Sequence, residues 1–125
     1  MAEKICLDTD ACIAILNNEN RAESLTTIIA NRTVFVTSIT VFELHLRKIN
    51  LDKVKNFLND VFILYLDEAS AIKASSIYKE LKQKGKLLEF RDVFIASTAL
   101  VNNCILATFN KKHFSIIPEL ELLNC

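Results

Sequence analysis

Three carboxylates stand where acidic side chains could do chemistry. Asp8 closes the apolar run Ile5-Cys6-Leu7, Glu43 follows Thr40 by three residues, and Asp92 leads into the apolar stretch Val93-Phe94-Ile95-Ala96. Each has an ordinary structural role on offer. A carboxylate after a strand caps the next helix, and Asp10, immediately before Ala11, takes that role and leaves Asp8 without one. Thr40 and Glu43 form a T-x-x-E capping box, and Arg47 stands at i+4 from Glu43. Asp92 falls in a first helical turn, which favours an anion. Taken together the three raise a different possibility. Carboxylates brought to one point repel, and burying them unpaired is costly. A divalent cation relieves both penalties. Hard oxygen donors suit Mg²⁺ or Mn²⁺ rather than zinc. Such a centre suits phosphoryl or phosphodiester chemistry.

The elements needed to bring them together can be read along the chain. Residues 4–7 are a short apolar strand, and residues 11–18 and 21–30 are helices. Residues 34–39 are β-branched and bounded by polar residues, hence a strand. Helices are expected over 40–49 and, with Asn50 as cap, up to Asp60. The run 62–66 is continuously apolar, as in a strand covered on both faces. Asp67 caps a long helix to Lys84, with Ala71, Ala74, Ile77, Tyr78 and Leu81 as its stripe, and Gly85 takes the left-handed terminal position. A helix over 90–103, a strand over 104–108, an irregular turn over 109–117 and a last strand over 120–123 complete the chain. Strands alternating with helices imply a three-layer α/β/α domain over residues 1–125, with a central, mainly parallel sheet of four or five strands. In such sheets ligands sit at the carboxyl ends of the strands. Asp8, Ser38, Asp67 and Asn110 all fall there.

Composition removes other classes. The chain has 125 residues, 51% of them apolar, with one Gly and one Pro. A single glycine excludes both the P-loop and the dinucleotide fingerprint, whose backbones approach phosphate through several glycines. Fifteen basic and fifteen acidic residues balance to a net charge of 0, so there is no global field to hold nucleic acid. None of Cys6, Cys12, Cys104 and Cys125 forms a C-x-x-C pair, which argues against zinc; Cys6 and Cys104 read as buried thiols. Asp8 and Asp10 interrupt the first apolar run, so no signal peptide is expected. No apolar stretch reaches the roughly 20 residues of a membrane span. The expectation is a reduced, cytoplasmic protein.

Four segments, in order, resemble the motifs of PIN-domain ribonucleases, in particular the VapC-like toxins of VapBC toxin–antitoxin pairs. They are Leu7-Asp8-Thr9-Asp10, Thr37-Ser38-Ile39-Thr40-Val41-Phe42-Glu43-Leu44, Phe90-Arg91-Asp92-Val93-Phe94-Ile95-Ala96, and Leu106-Ala107-Thr108-Phe109-Asn110-Lys111-Lys112-His113-Phe114. The resemblance implies an endoribonuclease in which Asp8, Glu43, Asp92 and Asn110 surround one or two Mg²⁺ or Mn²⁺ ions that activate water. Thr9 and Thr108 would support them. Asn110 departs from the four-acid form of the site, and His113 stands where some relatives carry another acid. Arg91, Lys111, Lys112 and His113 are the expected RNA contacts. The lysines at 79, 82, 84 and 86 read as a solvated helix face. The resemblance also implies a homodimer and a small VapB-like antitoxin. Part of the apolar set Val41, Leu44, Leu46, Ile49, Val54, Phe57 and Leu58 is then a partner surface rather than core.

Two other readings remain at this level. Asp8-Thr9-Asp10 resembles the D-x-D of haloacid-dehalogenase-like phosphatases, although Cys12 and the short chain fit poorly. A PIN domain that has lost catalysis and only binds RNA or protein would account for Asn110. A thiol enzyme built on Cys12 or Cys104 is the weakest idea, because no Cys–His arrangement is readable.

Overall fold

The alternation of side chains along the first strand divides the molecule into layers. In the computed structural model, which describes residues 3–125, β1 (Lys4–Leu7) is buried from Ile5 to Leu7. Its Ile5 and Leu7 pack on one side, with Ala11, Cys12, Leu25, Leu44 and Val54. Its Cys6 packs on the other, with Ala74, Ile77, Leu81, Val93, Ala96 and Ala99. Successive strand residues point to opposite faces, so one short strand feeds two cores.

β2 (Thr33–Thr37) and β4 (Ile105–Ala107) flank β1, and β3 (Phe62–Leu64) lies outside β2. The order is β3-β2-β1-β4 and all pairings are parallel. Ile5 stands opposite Val34 and Ile105, and Val36 opposite Ile63. The first face carries α1 (Thr9–Leu16), a 3₁₀ turn (Asn20–Ala22), α2 (Glu23–Ile29), α3 (Ser38–His45) and α4 (Leu51–Asn59). The second carries the antiparallel-neighbour pair α5 (Glu68–Gln83) and α6 (Phe90–Val101). A single turn, α7 (Lys111–Phe114), follows β4. The expected three-layer arrangement with a parallel sheet is present.

Several expectations need correcting, each for a local reason. Asp8, not Asp10, caps α1: its Oδ1 accepts from the Ala11 N–H at 2.8 Å, and Asp10 is a helical residue. The strand expected over 34–39 stops at Thr37, whose hydroxyl accepts from the Thr40 N–H at 3.3 Å and starts α3 two residues early. Glu43 is therefore more than one turn into the helix, and the capping box does not form. Nor does Arg47 pair with Glu43; it donates to Asn17. Asn50 precedes α4 but caps nothing with its side chain: it adopts φ 60°, a left-handed turn that asparagine tolerates.

The run 62–66 is not covered on both faces. β3 is the edge strand, and Phe62 and Tyr65 are exposed. In α5 the buried stripe is Ser70, Ala74, Ile77 and Leu81, and Ala71 faces outward. Gly85 does take the left-handed position, at φ 69°. The Gly85 N–H donates to Lys82 and the Lys86 N–H to Leu81, closing the helix end. The segment 109–117 contains α7 rather than irregular turn alone. Residues 120–123 contribute one bridge, Leu106 to Leu122, instead of a full strand.

Candidate active site

The carboxyl ends of β1 and β4, the α3 helix that follows β2, and the amino end of α6 surround one cleft. Its volume is about 450 Å³, and Asp8, Thr9, Asp10, Glu43, Glu89, Arg91, Asp92, Asn110 and His113 supply its polar lining. Four chain segments, up to a hundred residues apart, converge there because parallel strands send all their carboxyl ends to one rim. Five of the lining groups are carboxylates and one is a guanidinium.

Asp8 is the most buried of them, at 4% exposure. Its Oδ1 caps α1, and its Oδ2 accepts from the Thr108 hydroxyl. Thr108 in turn accepts from the Asn110 N–H at 2.9 Å, so the turn after β4 is tied to the end of β1. Burial pushes the Asp8 carboxyl up to about 6, and the charges of Asp10 and Asp92 add to that. The two hydrogen bonds oppose the shift without cancelling it. Among the described residues no lysine, arginine or histidine pairs with Asp8, whose side-chain partners are the Ala11 N–H and the Thr108 hydroxyl.

Glu43 is satisfied on both oxygens. The Thr9 hydroxyl donates to Oε1 at 2.6 Å, and Arg91 Nη1 donates to Oε2 at 2.9 Å. Thr9 Oγ1 also lies 2.9 Å from Thr40 Oγ1, which links α1 to α3 beneath the glutamate. Arg91 Nε binds Glu89 at 2.9 Å. The neighbouring Glu43 charge pushes the Arg91 guanidinium further up, so it stays cationic.

Asp92, in the first turn of α6, binds His113 Nε2 through Oδ2 at 2.9 Å. The His113 ring stands edge-on to Phe114, which is buried. The Asn110 side chain is exposed and caps nothing. As arranged, no three His, Cys, Asp or Glu side chains among the described residues form a ready metal-binding group.

The structure thus brings Asp8, Thr9, Glu43, Arg91, Asp92, Asn110 and His113 to the cleft, with Thr108 directly behind Asp8. It does not bring Lys111 and Lys112 into the lining. Lys111 Nζ donates to the Cys125 carbonyl at 3.1 Å, and Lys112 faces outward. Sequence reasoning missed Thr40 and Glu89. In the sequence Thr40 reads as part of a capping box, and Glu89 adjoins Phe90-Arg91-Asp92 without any spacing signal. Cys6 and Cys12 are buried, and burial pushes both thiols up, so neither is a nucleophile at neutral pH.

Comparison with known proteins agrees with this geometry. The PIN domain family matches residues 5–120. The chain is 32% identical to "Ribonuclease VapC1" of Methanocaldococcus jannaschii, over 95% of this chain and 85% of that protein. It is 30% identical to "Ribonuclease VapC2" of Rickettsia felis, over 94% and 95%. The crystal structure of VapBC2 from Rickettsia felis bound to a promoter DNA fragment contains a chain that superposes with a TM-score of 0.87, at 29% identity over 98% of both. DNA-bound VapBC from Salmonella typhimurium contains another, with a TM-score of 0.85 at 28% identity over 97% of both. With its four parallel strands, its acidic rim and this match over nearly its whole length, the chain belongs to the PIN domain family.

Proposed function

We propose that the protein is a divalent-metal-dependent endoribonuclease, the toxin of a VapBC-type toxin–antitoxin pair, acting in the cytoplasm as a single PIN domain over residues 1–125. One observation carries the reading: in a PIN-family chain whose relatives are named ribonucleases, five carboxylates and one guanidinium line one cleft. Such a cleft holds a polyanion only weakly until cations enter it.

The donor chemistry fits Mg²⁺ or Mn²⁺. Asp8 is a buried carboxylate with no cationic partner among the described residues, and the neighbouring charge of Asp92 works against its ionisation. An ion held by Asp8 and Asp92, with Asn110 at the rim, removes both penalties. Glu43 is the remaining oxygen donor for a second ion. When bound, the metal supplies Lewis acidity toward water and toward the non-bridging oxygens of a phosphodiester.

The chain's own groups do the rest. The Ala11 N–H and the Thr108 hydroxyl hold both Asp8 oxygens in place. Thr9 fixes Glu43, which accepts a proton of the attacking water and orients it for in-line attack. His113 holds Asp92 in its rotamer. The amino end of α6 favours a phosphate beside Asp92. Arg91 and His113 are the RNA contacts inside the cleft, and Lys111 and Lys112 extend the contact beyond it.

A VapB-like antitoxin and a second copy of the chain are the proposed partners. Phe42, Leu46 and Ile49, in and just after α3, are 64%, 64% and 68% exposed, apolar side chains of the kind partners cover, and Leu46 lines the cleft. Leu44 and Val54, by contrast, are core. Among the described residues no helix is long and apolar enough to cross a membrane.

The test is cleavage of a mixed RNA pool by antitoxin-free protein with Mg²⁺, with Mn²⁺ and with EDTA. An Asp8→Asn/Asp92→Asn double variant exposes any contaminating nuclease. Metal-dependent cleavage absent from the double variant is expected. No cleavage under any condition returns the protein to a binding-only domain.

A further inference from the structure

The acids of the cleft are unequally matched. Asp8 and Asp92 are supported by neutral donors and a histidine. Glu43, which is nearly buried, is closed by a permanent cation, because Arg91 Nη1 occupies its Oε2 at 2.9 Å while Thr9 fills Oε1. The Arg91 side chain is 58% exposed and that of Glu43 only 13%. Its other contact is the exposed Glu89, also at 2.9 Å. The guanidinium therefore lies over the cleft mouth on a long stem and binds only carboxylates. A phosphate is an equally good bidentate partner for it. RNA entering the cleft would bring that phosphate to where Arg91 already stands.

We infer that Arg91 is an exchangeable counter-ion. It closes Glu43 in the free protein and passes to an RNA phosphate when substrate binds, which frees Glu43 for a cation or for water. The inference rests on the ribonuclease reading and extends it. The free protein then has one cation position that no arginine or lysine occupies, at Asp8 and Asp92, and one latched position at Glu43. Metal and RNA binding become coupled through one side chain, because the guanidinium cannot neutralise Glu43 and a phosphate at full strength together. A static ion pair of the same geometry has no such coupling.

The test uses full-length, antitoxin-free protein and two probes. The first is Mn²⁺ alone, followed by the paramagnetic resonance of free ion. Arg91→Ala is expected to tighten the weaker of two Mn²⁺ sites by about twofold to fivefold, the range for a partly exposed ion pair. In Arg91→Ala/Glu43→Gln that gain disappears. The second probe is a fluorescein-labelled single-stranded RNA of mixed sequence, titrated in EDTA so that no metal contributes. Glu43→Gln frees Arg91 and is expected to tighten RNA binding about threefold beyond the gain from Asp10→Asn, which removes a cleft charge that Arg91 does not touch. On the Arg91→Ala background this excess vanishes. Arg91 is exposed, so folding is not at stake in its variant. An unchanged Mn²⁺ isotherm in Arg91→Ala overturns the latch. Equal gains from Glu43→Gln and Asp10→Asn, or an excess that survives Arg91→Ala, overturn the exchange, as does a failure of every variant to bind RNA. The ribonuclease reading is judged separately, by the cleavage assay.

Discussion

Replacing Asp8 by asparagine isolates the electrostatic cost of the buried carboxylate. Burial pushes the folded carboxyl up to about 6, against 3.8 for the ordinary group. The difference of about 2 units is worth about 3 kcal/mol at 1.36 kcal/mol per unit. The sign follows from the direction. A carboxyl raised in the folded state costs nothing below the unfolded value. Its penalty grows as pH climbs from about 4 to about 6 and is complete above that. Asparagine carries no charge and keeps an oxygen for the Ala11 N–H, so the helix cap survives. It deprives the Thr108 hydroxyl of its carboxylate acceptor, a loss of about 1 kcal/mol. In EDTA, Asp8→Asn is therefore expected to be more stable than wild type by about 1–2 kcal/mol at pH 8 and no more stable at pH 4. Urea midpoints across this pH range, with and without Mn²⁺, make the measurement. Metal should reverse the order at pH 8, because it stabilises only a protein that binds it. An Asp8→Asn protein less stable than wild type at pH 8 in EDTA would refute the reasoning, and would make Asp8 mainly a cap.

Other expectations follow from the same contacts. Thr108→Val removes the donor to Asp8 and the acceptor for Asn110 N–H; it should destabilise by about 1–3 kcal/mol and move the acid limb of cleavage to higher pH, read from a pH–rate profile. Mn²⁺ affinity should rise with pH up to about 6 and level off above it, measured by calorimetry, because the Asp8 proton must leave first. Gly85→Ala should cost about 1 kcal/mol in thermal unfolding and leave cleavage unchanged; a Cβ there meets nothing within 4 Å, so the penalty is the left-handed φ alone. The Lys111→Ala/Lys112→Ala protein should bind RNA more weakly, with a salt slope flatter by about 1.4 if both lysines reach a single strand's phosphates and by about 0.7 if only Lys112 does, since Lys111 is engaged by the chain's last residue.

What the sequence determined by itself was the element order, the parallel three-layer class and the acids worth naming. These depend on local quantities: apolar runs, helical periodicity, and a single glycine at the end of α5. The shared motifs added the functional class. Boundaries were less legible, because two side chains competed for each cap. Asp8 and Thr37 won over Asp10 and Thr40, and only the geometry of each turn decides which oxygen reaches an N–H.

Tertiary structure decided how each acid is neutralised. Arg91 crosses from α6 to Glu43 in α3 at a separation of 48 residues, Thr108 reaches Asp8 across 100, and His113 finds Asp92 across 21. No periodicity encodes such pairs. Nor could sequence say that β3 is an edge, since a continuous apolar run looks the same whether one neighbour or two cover it. The acids themselves stand out in a chain because their types and settings are unusual. Their partners are ordinary threonines, an arginine and a histidine; the shared motifs name Thr9, Thr108, Arg91 and His113 for the site, but only the packing of separate segments at one rim decides which acid each of them meets.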